Sequence, residues 1–286
     1  SSGEYEQLYL HRIREFTTSQ AFTPASASLV DISGSREPLF LSRAAKEPSL
    51  TIEDIYHAPF EDSVTDYQEA GHPLLSVKVA SMNALMAALD EEADRIYISG
   101  EVSPLRKQFW TKISYKEACK RVHSAGKTIG IGTPRITTER EMADAAWLFE
   151  QAASLGVDYV LVHNLGTMRL AKEFGLNILG DYSLNVINGQ TVNLLKELGA
   201  CGITTSLECS YNHLKQISIE SSLPVECIVH GPVSSMVLEH CIPAMMISKS
   251  HKKDNCRQVC QYMGYALKDE RGELRPIEID QYCRNH

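Results

Sequence analysis

Four cysteines lie near the end of the chain, and cysteine is the residue type that binds soft metals. They are Cys241, Cys256, Cys260 and Cys283, separated by fourteen, three and twenty-two residues. Four thiolates suit a tetrahedral zinc ion or an iron–sulfur cluster, and the Cys-x-x-Cys spacing that is commoner in zinc sites is absent. We expect a [4Fe–4S] cluster here, with zinc as the alternative and a set of free thiols as a third interpretation.

Two further cysteines leave the identity of the fourth ligand open. Cys209 and Cys227 lie close to the ends of predicted strands, and either could replace one of the four. Cys256 and Cys260 belong to every ligand set that we consider.

The segment around Cys256 is locally basic. Its positively charged or titratable residues are Lys249, His251, Lys252, Lys253 and Arg257. Positive charge near thiolates lowers their pKa and offsets the negative charge of a cluster. The same charge can meet phosphates, so Lys252 and Arg257 are candidate substrate-binding residues, and a solvated surface loop is the alternative.

The composition is that of an ordinary globular protein. In 286 residues there are 28 Lys and Arg against 36 Asp and Glu, a net charge of −8 that argues against binding nucleic acid through a generally basic surface. The sequence contains no long apolar run and no secretory leader, so we expect a cytoplasmic protein without a membrane partner. Eight cysteines in such a protein indicate thiols or metal ligands rather than disulfides.

From residue 73 onward, short apolar runs alternate with helical segments. The predicted strands are Leu75–Val79, Arg95–Ser99, Thr128–Ile131, Asp158–Val162, Asn177–Gly180, Gly202–Thr205 and Glu226–His230. Strands that alternate with helices at this spacing predict a parallel sheet. We expect an α/β fold, a TIM-barrel-like (βα) barrel over residues 71–240 with a cysteine-rich extension over 241–286. Residues 1–70 are predicted to be an irregular lead-in, and a doubly wound open sheet is the alternative architecture.

A parallel barrel takes its reactive groups from the carboxyl ends of its strands and the loops that follow. This rule selects Glu101, Arg135, His163, Asp181, Tyr182, Asn185, Ser206, Glu208 and His230. We expect Asp181, Glu208 and His230 to be catalytic, and His163 and Asn185 to bind substrate. A single loop residue of this kind can equally cap the next helix, and His163 and His230 can equally be core histidines.

Several segments, in order along the chain, resemble one known family. They are Ala93 to Glu101, Asp181 to Asn188, Thr205-Ser206-Leu207-Glu208-Cys209, Glu226 to Gly231 with Cys241, Asn255 to Cys260, and Tyr265 to Asp269 with Ile279 to Cys283. Over residues 73–286 this series resembles the collagenase-like peptidase family U32, with Cys209 in a position where the family has leucine. The match of the Asp181 segment adds Asn188 to the candidate substrate-binding residues.

The resemblance implies a barrel-like domain with a four-cysteine [4Fe–4S] site, in proteins linked to oxygen-independent hydroxylation. The implied substrates are a base of tRNA or rRNA, or a quinone precursor. The opening of the chain lacks the family's usual start, so we expect the second half of a longer member. The missing N-terminal half or a family-member partner would then contribute to activity.

Three functions remain open at this point. The first is iron–sulfur-dependent hydroxylation of an RNA base or a quinone precursor. The second is a metal-dependent peptidase in which Glu208 and His230 activate water, although His-Glu-x-x-His and Gly-x-Ser-x-Gly motifs are absent. The third is a zinc-stabilised module without chemistry of its own.

Overall fold

The computed structural model describes residues 27–31, 73–103, 110–234, 236–247, 256 and 258–286. Two compact units make up the chain. Of the described residues, 74–102 and 110–234 form the first, which we call the barrel unit. The second, which we call the tail unit, contains the described residues 27–31, 73, 103, 236–247, 256 and 258–286.

Strands alternate with helices along the barrel unit. The strands of the tail unit come from segments before and after the barrel unit in the sequence. The strands are β1 Ala27–Asp31, β2 Ser76–Val79, β3 Arg95–Ile98, β4 Thr128–Gly132, β5 Tyr159–Val162, β6 Ile178–Gly180, β7 Ala200–Thr204, β8 Val225–Glu226, β9 Tyr265–Asp269 and β10 Leu274–Ile277. The helices are α1 Met82–Asp90, α2 Lys112–Ser124, α3 Met142–Leu155, α4 Leu165–Glu173, α5 Gly189–Leu198, α6 Tyr211–Glu220 and α7 Ile242–Met246.

Strands β2 to β8 form a parallel sheet whose spatial order is the same as their order in the sequence. The sheet curls into a half-barrel with helices between its strands, so the predicted TIM-barrel-like fold is confirmed. A doubly wound sheet would reverse its strand order part-way across, and this sheet has no such reversal. The predicted bounds of the last strand were wrong. Glu226–His230 was expected to form it, but the strand that pairs with β7 is Val225–Glu226.

Alternating side chains give the sheet two different faces. Ile96, Ile98 and Ile129 belong to the main apolar core together with residues of the helices. Tyr97, Leu161 and Leu179 form a separate cluster, which fills the concave side.

Gly130 shows how tightly the concave side is packed. A Cβ atom at this position would lie 2.6 Å from Cδ1 of Tyr97 and 2.9 Å from Cδ1 of Leu161.

Capping side chains fix where the helices begin, next to the strand ends. The side chains of Ser81, Thr111, Asn164, Asn188 and Ser210 each accept a hydrogen bond from the backbone N–H three residues later. These caps set the first residue of each of the five helices.

Glu226 of β8 ties together the two edge strands of the half-barrel. Its Oε1 accepts hydrogen bonds from Ser76 Oγ of β2 at 2.8 Å, from Arg95 Nη1 at 2.9 Å and from Tyr97 OH at 2.6 Å. The Arg95 guanidinium also lies over the Tyr159 ring, 4.6 Å from its centroid. Side chains thus link β2 and β8, which are the two ends of the strand order.

The tail unit contains an antiparallel sheet in the order β1, β9, β10. Residues Ala27–Asp31 pair with Tyr265–Asp269, more than 230 residues later in the chain. Tyr265, Ile277 and Ile279 form its buried core. The sequence did not indicate this pairing, in which part of the lead-in shares a sheet with the tail.

Among the described residues, none of the helices combines the length and the apolar character needed to cross a membrane.

Replacing Glu226 with Ala should destabilise the barrel unit by about 2 kcal/mol, because Arg95 loses its charge partner and four donors lose their acceptor. Glu150→Ala, at an exposed position of α3, is the matched control and should change the free energy of unfolding by less than about 0.5 kcal/mol. Urea denaturation measures both. Equal values for the two variants would show that Glu226 does not hold the sheet edges together.

Candidate functional site

A buried carboxylate, Asp181, lies directly after β6 at the carboxyl end of the parallel sheet. Its backbone N–H donates to Val162 O at 2.9 Å and so continues the pairing of β5 with β6. Its Oδ1 accepts the backbone N–H of Tyr182 at 2.7 Å. Its Oδ2 lies 3.2 Å from Lys78 Nζ and 3.1 Å from His163 Nε2. One carboxylate therefore joins side chains from β2, β5 and β6.

His163 stands between Asp181 and a serine hydroxyl. Its Nδ1 lies 2.6 Å from Ser183 Oγ, and that hydroxyl is also 3.1 Å from the carbonyl oxygen of His163. The side chains of His163 and Asp181 are only 1% and 5% exposed, whereas Ser183 is half-buried. Although Nε2 is close to Asp181, its direction is not that of a well-aligned hydrogen bond, so the contact is mainly electrostatic.

Two positively charged side chains lie next to the ring of Tyr182. Lys78 Nζ lies 6.0 Å and the guanidinium carbon of Arg135 5.5 Å from the ring centroid, and His163 meets the ring edge-on. Glu101 holds the loop of Arg135 in place, since its Oε1 accepts the Arg135 backbone N–H at 2.9 Å. The site thus combines an aromatic surface with two cations.

Electrostatics keep Asp181 ionised despite its burial. Burial on its own would raise the pKa of Asp181, but the charge of Lys78, the contact with His163 and the N–H of Tyr182 together hold that pKa well below its usual value. Burial likewise acts to lower the pKa of Lys78, and Asp181 and Glu101 more than offset this, so the pKa is raised. Lys78 and Asp181 therefore form a charged pair.

The structure brings together only some of the residues that the sequence selected. Asp181 and His163 are in contact, and Tyr182, Arg135 and Glu101 surround them. Glu208 and His230 are exposed. Within the described part of the chain, no contact joins either of them to Asp181.

The two selected asparagines have local structural roles. Asn185 is exposed and adopts a left-handed conformation, with φ of 53°, at the end of the short turn Tyr182–Leu184. Asn188 caps α5 by accepting the Thr191 N–H at 2.9 Å. Lys252 and Arg257 lie outside the described residues.

Sequence reasoning missed two members of the site, Lys78 and Ser183. The available signal for Lys78 was a charged residue inside the mostly apolar predicted strand Leu75–Val79. No pattern distinguished Ser183 from other loop serines.

The four predicted metal-binding cysteines all belong to the tail unit and are half-buried. Burial, followed by the neighbouring thiols of Cys241, Cys283 and Cys256, raises the pKa of Cys260 to about 11. All four thiols are therefore near enough to interact electrostatically. Within the described residues, no group of three or more His, Cys, Asp or Glu side chains has donor atoms already converged on a metal position.

Asn285 holds two of the cysteine-bearing segments together. Its backbone exchanges hydrogen bonds with Leu238 at 2.9 and 3.0 Å, and its Oδ1 accepts the N–H of Ile242, the residue after Cys241, at 3.1 Å. Its Nδ2 lies 3.4 Å from the carbonyl oxygen of Cys283. The positions of Cys241 and Cys283 thus depend on one buried amide side chain.

Comparisons with known proteins agree with the sequence pattern. Residues 80–283 match Peptidase family U32. An "Uncharacterized protease MJ0090" of Methanocaldococcus jannaschii is 27% identical over 189 residues, which are 63% of this chain and 46% of the relative. The chain therefore spans about half the length of that relative.

Solved structures also resemble the chain. The U32 peptidase Mk0906 has 16% identity and a TM-score of 0.44, covering 57% of this chain and 71% of its own. The tryptophan synthase alpha chain of Legionella pneumophila has 15% identity and a TM-score of 0.37, covering 62% of this chain and 76% of its own.

The lowered pKa of Asp181 predicts a specific loss of stability in acid. Its folded pKa lies below the unfolded value of about 3.9, so its ionised form stabilises the fold above that value and the stabilisation disappears as the pH falls. The stability difference between wild type and Asp181→Asn should therefore stay constant above about pH 5 and shrink steadily as the pH falls below that value towards the folded pKa.

Urea denaturation at several pH values measures this difference. Asp90→Asn, at an exposed position of α1, is the control and should keep a constant offset from wild type. A constant offset for Asp181→Asn as well would contradict the ionised, paired state of Asp181.

Proposed function

We propose that this chain, which belongs to peptidase family U32, hydroxylates an RNA base with the help of a [4Fe–4S] cluster. The observation that carries the proposal is that Cys241, Cys256, Cys260 and Cys283 are all half-buried within the tail unit. Because the chain spans only about half of its relative, the activity of the whole protein is part of this proposal.

Thiolate is the ligand type that an iron–sulfur cluster requires. Four half-buried thiols with no disulfide among them are soft ligands in partly apolar surroundings, since Cys260 packs against the core of Tyr265, Ile277 and Ile279. Their mutual repulsion as thiolates is relieved when cationic iron is bound. Cys241, Cys256, Cys260 and Cys283 would hold the cluster, which when bound supplies one-electron transfer.

The Asp181 site supports an RNA base as the substrate. A nucleobase is a flat ring attached to a phosphate, and Tyr182 with Lys78 and Arg135 offers an aromatic ring beside two cations. His163 and Asp181 can hold or move a proton next to that ring. A quinone precursor, the alternative substrate, also has a ring, but it lacks the nucleotide phosphate that two cations would bind.

Two other functions compete with this proposal. The family label and the name of the relative favour a peptidase, and the predicted pair for activating water was Glu208 with His230. A zinc-stabilised module without chemistry would use the same four cysteines. Metal analysis and assays of the pure protein separate the three.

Anaerobically purified protein should contain about four irons and a similar amount of acid-labile sulfide per chain, with a broad visible absorption. The double variant Cys256→Ala/Cys260→Ala should lose both. Cys227→Ala should keep them, because it removes an exposed thiol of the barrel unit. One zinc without sulfide would contradict the cluster.

RNA from cells that lack the protein should be missing one hydroxylated nucleoside that wild-type RNA contains. Complementation with the wild-type gene should restore the extra oxygen atom, and Lys78→Met should restore it poorly, since the charged pair with Asp181 is lost. Digestion of RNA to nucleosides followed by mass spectrometry measures this. An unchanged nucleoside pattern, together with peptide cleavage that Glu208→Ala abolishes, would replace the proposal with the peptidase.

A further inference from the structure

We infer that Ser183, His163 and Asp181 form a nucleophilic triad that transfers acyl groups from esters or amides to water. The inference concerns an activity separate from hydroxylation. It requires no metal and depends only on residues of the barrel unit.

The distances and the order of the groups carry the inference. Ser183 Oγ lies 2.6 Å from His163 Nδ1, and His163 Nε2 lies 3.1 Å from Asp181 Oδ2. A hydroxyl, an imidazole and a carboxylate thus stand in the order that activates a serine, although the contact between Nε2 and Asp181 is electrostatic and not a well-aligned hydrogen bond. The ring nitrogens are exchanged relative to the best-known serine proteases, but the chemistry needs only one nitrogen towards each partner.

The charge of Asp181 determines where His163 carries its proton. The Asp181 carboxylate is ionised because Lys78 and His163 both contact Oδ2. A lone pair on Nε2 would face this negative charge and be repelled by it, so neutral His163 carries its proton on Nε2. Nδ1 then carries the lone pair that accepts the proton of Ser183.

Burial is distributed as a nucleophilic site requires. His163 and Asp181 are almost fully buried, and Ser183 is half-buried at the carboxyl end of the sheet, where parallel barrels have their reactive groups. Ser183 belongs to the turn Tyr182–Leu184, which begins at Asp181 and keeps the two residues close. Ser183 is the least buried residue of the three.

The reaction balances within these groups and water. Ser183 Oγ attacks the carbonyl carbon while its proton moves to His163 Nδ1, and the leaving alcohol or amine takes that proton as its bond to carbon breaks. Water then attacks the acyl-serine, gives a proton to Nδ1 and releases the carboxylic acid, and Ser183 recovers its proton. Asp181 stabilises the imidazolium that forms in each half of the reaction.

Ser183 has one alternative hydrogen bond, to the carbonyl oxygen of His163 at 3.1 Å. A serine that serves only to hold His163 in place would keep this bond and show no unusual reactivity. Chemical labelling distinguishes the two roles, because it depends on activation of the oxygen and not on its position alone.

The test uses a fluorophosphonate probe on the full chain, with the labelled peptide identified by mass spectrometry. The probe should form a phosphonyl ester on Ser183 with release of fluoride. Ser183→Ala should abolish labelling, and Asp181→Asn should slow it by about 100-fold or more, because the proton of His163 is no longer fixed. Ser218→Ala, on the exposed side of α6, should label like wild type.

Two further variants keep the test decisive. Ser183→Cys retains a nucleophile at the same position. This variant should lose fluorophosphonate labelling and should instead be alkylated at residue 183 by iodoacetamide. Cys256→Ala/Cys260→Ala should still label at Ser183, so loss of the cluster and loss of the triad are separate results. Absence of label on Ser183 in folded wild type, or labelling unaffected by Asp181→Asn, would overturn the inference.

Discussion

The ion pair between Lys78 and Asp181 is the interaction on which the candidate site depends. A carboxylate that leaves water for a protein interior loses several kcal/mol of solvation. One charge partner at about 4 Å returns about 4 kcal/mol at an effective dielectric constant of 20, and less where the partner is partly solvated, as Lys78 is at 36% side-chain exposure. The contact with His163 and the hydrogen bond from the Tyr182 N–H are therefore needed as well, which explains why these groups converge on one side chain.

A second charged group, Glu226 with Arg95, lies on the same concave side of the sheet and has a different role. It links the two edge strands, whereas the Asp181 group lies where β5 and β6 end. The apolar cluster of Tyr97, Leu161 and Leu179 fills part of the interior, and Tyr97 reaches Glu226 through its hydroxyl. The half-barrel thus uses one charged network for closure and leaves the other available for chemistry.

Much of the fold was predictable, because parallel strands buried on both faces appear as short apolar runs between helices. Asp181 and His163 were predictable from the rule that reactive groups follow such strands. The contact of Lys78 with Asp181 was not, because it joins residues 103 positions apart through the register of the sheet and the curl that brings β2 near β6. Ser183 was missed for a related reason, since only the turn after Asp181 directs its hydroxyl to His163. The pairing of Ala27–Asp31 with β9 is a long-range antiparallel contact that no local pattern reveals.

The proposed role of Ser183 requires that ionised Asp181 holds the proton of His163 on Nε2 and leaves Nδ1 to accept a proton from Ser183. Long-range ¹H–¹⁵N correlation NMR of the histidine rings at mildly alkaline pH, with His163→Gln used to assign the signal, measures this directly. We expect a protonated Nε2 and an unprotonated Nδ1 for His163, with the preference lost in Asp181→Asn. A proton found on Nδ1 alone in the wild type would contradict it.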